Sequence, residues 1–410
     1  MVSCKVKSNT DMTAHTELQA GTPEFRRANW ALILGGFACF TLLYGTQPLL
    51  PEFTAAFGIS PTMASLTVSA GTLTLSFLLI PLSLLSDKFG RAPLMKIALL
   101  GATCFAWLSA IAPDFEWLVW SRAGVGACIA ALPAAAMAYL GEEISTAARG
   151  RVMGMYIAGN ALGGMFGRFL SAVVTQYSSW HYGLAALALI GMICTVLFWR
   201  LLPPARHFQS RSLAPAALWR DVRRIYADPG LRWLFSTAFL IMGAFVSIYN
   251  YLGFRLSEAP YNLGPAAIGC VFLLYALGSA SSAIAGHLTD HYGRGKIMLG
   301  MIAMMAIGVL ATLDGHLAII IFGLALFTFG YFATHSIASG WVGFRAGERR
   351  GLVSALYLSS YYLGSSFLGS TSGPLWSYYR WPGMVVGLLI CVGLVFAIGL
   401  YLTQLEKAAR

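Results

Sequence analysis

Charge is scarce in this sequence. Only 10% of its 410 residues are Asp, Glu, Lys or Arg, while 58% are apolar. A water-soluble globule of that composition would leave far too much hydrocarbon facing solvent, so a bilayer is the natural medium for the chain. Acidic residues are the rarer sign, 16 against 27 basic, and none sits in the middle of an apolar run. Seven cysteines (Cys4, Cys39, Cys104, Cys128, Cys194, Cys270 and Cys391) are scattered without C-x-x-C spacing or an obvious pairing; neither a disulfide framework nor a zinc site is expected. There is no G-x-x-x-x-G-K-[ST] phosphate loop and no polar segment long enough for a nucleotide-binding domain, which excludes an ATP-driven pump for this chain alone. No apolar run holds a nucleophile with a base beside it, or a metal cluster, so an enzyme is not expected. A sizeable soluble output domain, which a receptor would more naturally carry, is also missing, and no cofactor or metal is expected.

What is present is a series of about twelve apolar runs. They lie near 28–50, 61–86, 93–112, 117–140, 150–175 and 181–201, then 232–254, 263–288, 296–313, 317–343, 351–376 and 382–404. A span needs roughly 20 apolar residues. The first run is longer than a signal-peptide core and is followed by others, so it reads as a retained helix. This gives a polar tail over 1–27, one six-helix bundle over 28–202, a basic, Pro-containing linker over 203–230, a second bundle over 231–404 and a short tail over 405–410. A formal charge of +11 raises the question of nucleic acid. Its placement answers it: 23 of the 27 Lys and Arg residues fall in alternate segments that share one face. By the positive-inside rule that face, with both termini, is cytoplasmic, and no nucleic acid partner is expected.

The two halves repeat each other. Ser86-Asp87-Lys88-Phe89-Gly90-Arg91 is matched by Thr289-Asp290-His291-Tyr292-Gly293-Arg294, 203 positions on, and Leu162-Gly163 by Leu363-Gly364, 201 positions on. Two six-helix units in the same orientation form a two-bundle transporter architecture. In the first copy, Asp87 ends its helix where the macrodipole disfavours negative charge and so seeks a donor. Gly90 permits a sharp turn. Arg91 can then bridge to Glu142 or Glu143, a latch on the cytoplasmic side. Asp290, Gly293 and Arg294 are the equivalents.

These residues resemble the major facilitator superfamily over nearly the whole chain. Its loop pattern G-x-x-x-D-R/K-x-G-R-R/K appears twice, from Ser83 and from Gly286. Arg122-Ala123-Gly124-Val125-Gly126 is a shortened version of its fourth-helix motif. Gly150-x8-Gly159-x3-Gly163-Gly164-x2-Gly167-Arg168 is close to its antiporter signature, with Gly164 where that pattern has Pro and Arg168 where it has its last Gly. A glycine-lined packing face explains the same run equally well. The stretch Tyr44 to Pro51 with Gly159-Asn160 is similar to inner-membrane proteins of the sugar- and drug-efflux group. The resemblance implies an all-α, twelve-helix, multi-pass protein of a bacterial inner membrane, moving a small solute by alternating access. A monomer suffices for that architecture.

Candidate chemistry follows from the polar residues inside the spans. A charge there is costly, so Arg122 and Arg168 are expected to face a wet cavity or a partner. With no mid-span carboxylate, a neutral or anionic solute is favoured over a cation. Gln47, Asn160 and Asn250 can hydrogen-bond a solute, as can Tyr44, Tyr331 and Tyr361. His335 is the one histidine deep in a span and a candidate proton relay. Glu52 and Arg255, at repeat positions near the outer ends of helices 1 and 7, are expected to form an outer gate across the halves. Trp117, Trp120, Trp376 and Trp381 read as an interfacial belt. The leading functional expectation is proton-coupled export of a sugar-like or drug-like solute. The alternative is an uptake carrier or exchanger for a small organic anion.

Overall fold

A computed structural model describes residues 17–208 and 215–408. Among them the structure is helical, apart from one isolated bridge between Leu18 and Ile144. Twelve rods cross the molecule: α1 (Pro23–Phe57), α2 (Pro61–Phe89), α3 (Arg91–Ala110), α4 (Phe115–Glu143), α5 (Thr146–Tyr177), α6 (Trp180–Leu201), α7 (Pro229–Ser257), α8 (Pro265–Tyr292), α9 (Arg294–Ala311), α10 (Leu317–Arg345), α11 (Arg350–Thr371) and α12 (Gly373–Lys407). Eleven are long and apolar enough to span a bilayer. The exception, α11, carries six serines and three tyrosines in 22 residues. It packs between α7 of its own half and α2 of the other. The linker contains an amphipathic helix, Pro215–Ala227, that the apolar pattern did not predict.

The halves meet along three seams, α2 with α11, α5 with α8, and α1 with α7. The α2–α11 seam is a serine ladder in antiparallel register. Ser65 meets Ser370 at 3.1 Å, the Ser366 hydroxyl donates to the Ser69 carbonyl at 2.8 Å, and Ser76 and Ser359 each donate to the other's carbonyl, at 2.8 and 2.9 Å. Within each half, glycine allows backbones to touch. A Cβ at Gly163 would lie 2.1 Å from the Phe37 carbonyl oxygen, and one at its repeat partner Gly364 would lie 2.0 Å from that of Phe239. The glycine run of α5 is thus the face on which α1 packs. The duplicated loop turns also match, with Gly90 at φ 100° and Gly293 at φ 86°, a region open to glycine.

Three expectations need correction. The break in the last rods falls at Ser372, so Trp376 belongs to α12, whose backbone kinks at Arg380. Trp376 and Trp381 are buried, and the Trp381 indole donates to Thr312 Oγ1 at 3.0 Å; they are packing residues, whereas Trp117 and Trp120 are exposed. Arg122 is 2% exposed and lies outside the central cavity. The first rod breaks after Tyr44, which strands the last carbonyls of its first segment. Arg122 donates to two of these, Leu42 at 2.7 Å and Leu43, and to the Thr67 carbonyl at 3.2 Å. Its charge is used to cap a helix end and pin α4 to α1 and α2.

Candidate functional site

A cavity of about 960 Å³ lies between the halves. Its mouth is bordered by Asp87, Arg91, Arg349 and Arg350, near helix ends on the basic face, and by Asp221 of the linker helix. Deeper in, the wall is largely aromatic and one charge remains, that of Arg168. This residue is 3% exposed and sits nine positions from the far end of α5, about 14 Å along the helix axis.

Arg168 is held from several sides. Its Nε donates to Gln47 Oε1 at 2.7 Å and one terminal nitrogen donates to the Gly164 carbonyl at 2.6 Å. The guanidinium also lies over the rings of Tyr44 at 4.5 Å and Tyr275 at 4.8 Å. Gln47 in turn donates to Asn250 Oδ1 at 2.8 Å, and Asn250 donates to the Gly369 carbonyl at 3.2 Å. Gln47 and Asn250 occupy equivalent positions in the two repeats, so this buried relay runs from α5 through α1 to α7 and α11, across the pseudo-twofold axis. It roofs the cavity opposite the mouth.

The second half contributes a tyrosine and histidine wall. Tyr331 stacks on Phe245 with centroids 3.7 Å apart, and its hydroxyl meets that of Tyr361. The His335 ring packs tilted against that of Tyr361 at 4.7 Å, and its Nδ1 lies 3.0 Å from the Tyr357 hydroxyl. Four polar atoms of the cavity wall make no hydrogen bond of good geometry among the described residues: the hydroxyls of Tyr44, Tyr156 and Tyr275, and Asn160 Oδ1, with Ser365 beside Tyr44 and Asn160 beside Tyr156. Buried polar groups are rarely left unpaired, so such a cluster beside a cation is ready to receive a ligand.

The structure therefore brings Tyr44, Gln47, Asn160, Arg168, Asn250, Tyr331, His335 and Tyr361 to the cavity or its roof, and leaves Arg122 behind it. At the mouth, Arg91 pairs with Asp87 and reaches Glu142 at 2.9 Å. All three residues belong to the first half, so this cluster ties α2, α3 and α4 together and does not bridge the halves. Glu143 instead accepts from His207, from its backbone N–H at 2.7 Å with Nδ1 at 3.1 Å, clamping the start of the linker. In the second copy Arg294 lies 4.3 Å from the Phe344 ring centroid, and the repeat position of Glu142 is occupied by Arg345, which pairs with Asp228 at 2.9 Å. Glu52 and Arg255 do not meet. Arg255 donates to the carbonyls of Thr312 and, at 2.8 Å, Asp314, capping the end of α9. The serine ladder, Tyr156 and Tyr275 escaped sequence reasoning, although the seven-residue spacing of Ser69 and Ser76, and of Ser359 and Ser366, was a usable signal.

Comparison with known proteins decides the family. The Major Facilitator Superfamily family model matches residues 32–259. The chain is 40% identical over 380 residues to the MFS-type transporter YybF of Bacillus subtilis, covering 93% of this chain and 94% of that one. It is 41% identical over 381 residues to the inner membrane transport protein YnfM of Escherichia coli, covering 93% and 91%. The chain belongs to the major facilitator superfamily. Among solved structures it is similar in fold to a bacterial homologue of the human lysosomal transporter Spinster, with a TM-score of 0.78 at 14% identity over 93% of this chain and 98% of that one. The chain is thus a multi-pass membrane transporter of the major facilitator type, not an enzyme.

Proposed function

We propose that this major facilitator protein carries a small organic anion with an apolar or aromatic body, by alternately exposing the central cavity to the two faces of the membrane. The observation that carries this reading is the solitary charge of Arg168 deep in an aromatic cavity with no acidic side chain beside it. A guanidinium offers a fork of donors matched to a carboxylate or phosphate. The flanking rings supply apolar area, and the unpartnered hydroxyls of Tyr44, Tyr156 and Tyr275 supply further donors. The present state opens toward the basic face, which we assign to the cytoplasm from the distribution of Lys and Arg.

A second reading, proton-coupled export of a neutral sugar-like or drug-like solute, is supported by those same unpaired hydroxyls and by His335 in the wall. The two readings separate in proteoliposomes. Uptake and counterflow of organic acids are compared with those of their uncharged amides, with and without an imposed pH gradient. The anion reading expects the acids to be carried, and Arg168→Ala to lower their transport roughly 10- to 150-fold, the range of one charged hydrogen bond. Equal transport of acids and amides, insensitive to Arg168→Ala, would overturn it.

A further inference from the structure

A second cavity lies on the lipid-facing side of the second half and is separate from the central one. It is a groove of about 780 Å³ between α7, α11 and α12, floored by Phe239, Leu240, Leu363, Leu394 and Ile398. Its upper rim on the basic face is formed by Arg232, Trp233, Tyr226 and Tyr401. Along α7 the groove runs from Arg232 to Leu240, about 12 Å at the helical rise. That is close to one leaflet of a hydrocarbon core about 30 Å thick. The rim is built as an interface: Trp233 and Tyr401 pack edge to face at 6.1 Å, and amphipathic rings of this kind sit at headgroup level. Arg232 is exposed and has no carboxylate partner among the described residues. The linker helix that ends in the groove presents exposed Trp219, Arg220, Arg223 and Arg224 on the same face.

We infer that this groove binds an anionic phospholipid of the basic-face leaflet, with its phosphate on Arg232 and an acyl chain along α7 and α12. Basic pockets between membrane helices on the cytoplasmic side suit anionic headgroups, and an apolar trough one leaflet deep suits the chain attached to them. The occupant is a membrane lipid and not a free anion, because the charged rim and the apolar floor are one continuous surface. The groove has a consequence for transport. Its wall, α11, is also the wall of the central cavity: Ser360 and Leu363 face the groove, while Tyr361 and Tyr362 line the cavity. A lipid seated there braces the helix that seals against α2.

The test is a titration of the purified protein in detergent with phosphatidylglycerol or with phosphatidylcholine of the same chains, read as the shift in thermal unfolding midpoint. The wild type is expected to half-saturate at lower phosphatidylglycerol concentration. Arg232→Gln should raise that concentration about fivefold, the effect of one basic residue at an anionic surface, and raise that for phosphatidylcholine less, because the choline cation beside its phosphate offsets the attraction. Leu394→Trp, which fills the trough, should weaken both lipids, whereas Arg220→Gln on the linker helix should weaken neither. Indistinguishable lipids in the wild type, or an unaltered phosphatidylglycerol titration in Arg232→Gln or Leu394→Trp, would overturn the assignment. So would loss of phosphatidylglycerol binding in Arg220→Gln, which would move the headgroup to the linker surface.

Discussion

The roof relay gives a paired prediction. Asn250→Ala removes the Gln47–Asn250 bond, the point where the relay crosses between the halves. A neutral buried hydrogen bond contributes about 1 kcal/mol, so the roof-closed population should fall about fivefold relative to roof-open. Gln47→Ala removes that bond and also the 2.7 Å contact to the Arg168 guanidinium. That contact joins α5 to α1 within the first half and is kept whether the roof is open or shut, so it does not enter the balance and the shift should again be about fivefold. The readout is the distance between spin labels on cysteines introduced at Ala55 and Ala259, exposed residues near the outer ends of α1 and α7, in a cysteine-free background. Both variants should populate a longer distance, and to a similar degree, because each removes the one relay bond that crosses between the halves. If the distributions are unchanged, or if only one of the two variants shifts them, the relay does not hold the roof shut.

Other consequences concern stability. Arg122→Leu strands the carbonyls of Leu42 and Leu43 and loses the bond to that of Thr67, and should cost about 3–5 kcal/mol, seen as a fall in unfolding midpoint, while ligand binding by the remaining folded protein persists. Gly163→Val drives a side chain into the Phe37 backbone and should lose folded protein on size-exclusion chromatography, whereas Gly154→Ala, with nothing within 4 Å, should be silent. Asp228 caps α7 through the Leu231 N–H at 2.8 Å and pairs with Arg345. Partial burial pushes its carboxyl up, but the Arg345 and backbone hydrogen bonds outweigh this and hold it below the ordinary carboxylate value. A depressed folded-state value stabilises above the unfolded value near 4 and is lost as pH falls below it. Asp228→Asn should therefore lower the unfolding midpoint at pH 7 and flatten its decline under acid.

Much of this architecture was legible because membrane physics is blunt. Long apolar runs, alternating basic loops and a motif repeated 203 positions apart leave few alternatives, and the rods fall close to the expected positions. Gln47 and Asn250 could be singled out as repeat equivalents, but only the fold reveals that they bond to each other. Arg122 and Arg168 were indistinguishable in sequence, both being charges in apolar runs. The difference is local backbone: Arg122 answers the carbonyls exposed by a helix break at Gly45, a feature that depends on how α1 bends beside α4. Glu52 and Arg255 shared repeat positions, yet Arg255 found nearer acceptors at the end of α9. The Glu142 position failed to repeat as an acid, so among the described residues only the first loop motif carries an ionic cluster.

The central claim is that one cavity serves both faces in turn, and site-directed labelling tests it most directly. A single cysteine at Ala161, in the cavity wall, is exposed to a membrane-impermeant maleimide from either side of oriented vesicles. The account predicts labelling from the basic face alone in the wild type, and added labelling from the opposite face once Gln47→Ala loosens the roof. Equal labelling from both faces in the wild type would describe an open pore and contradict it.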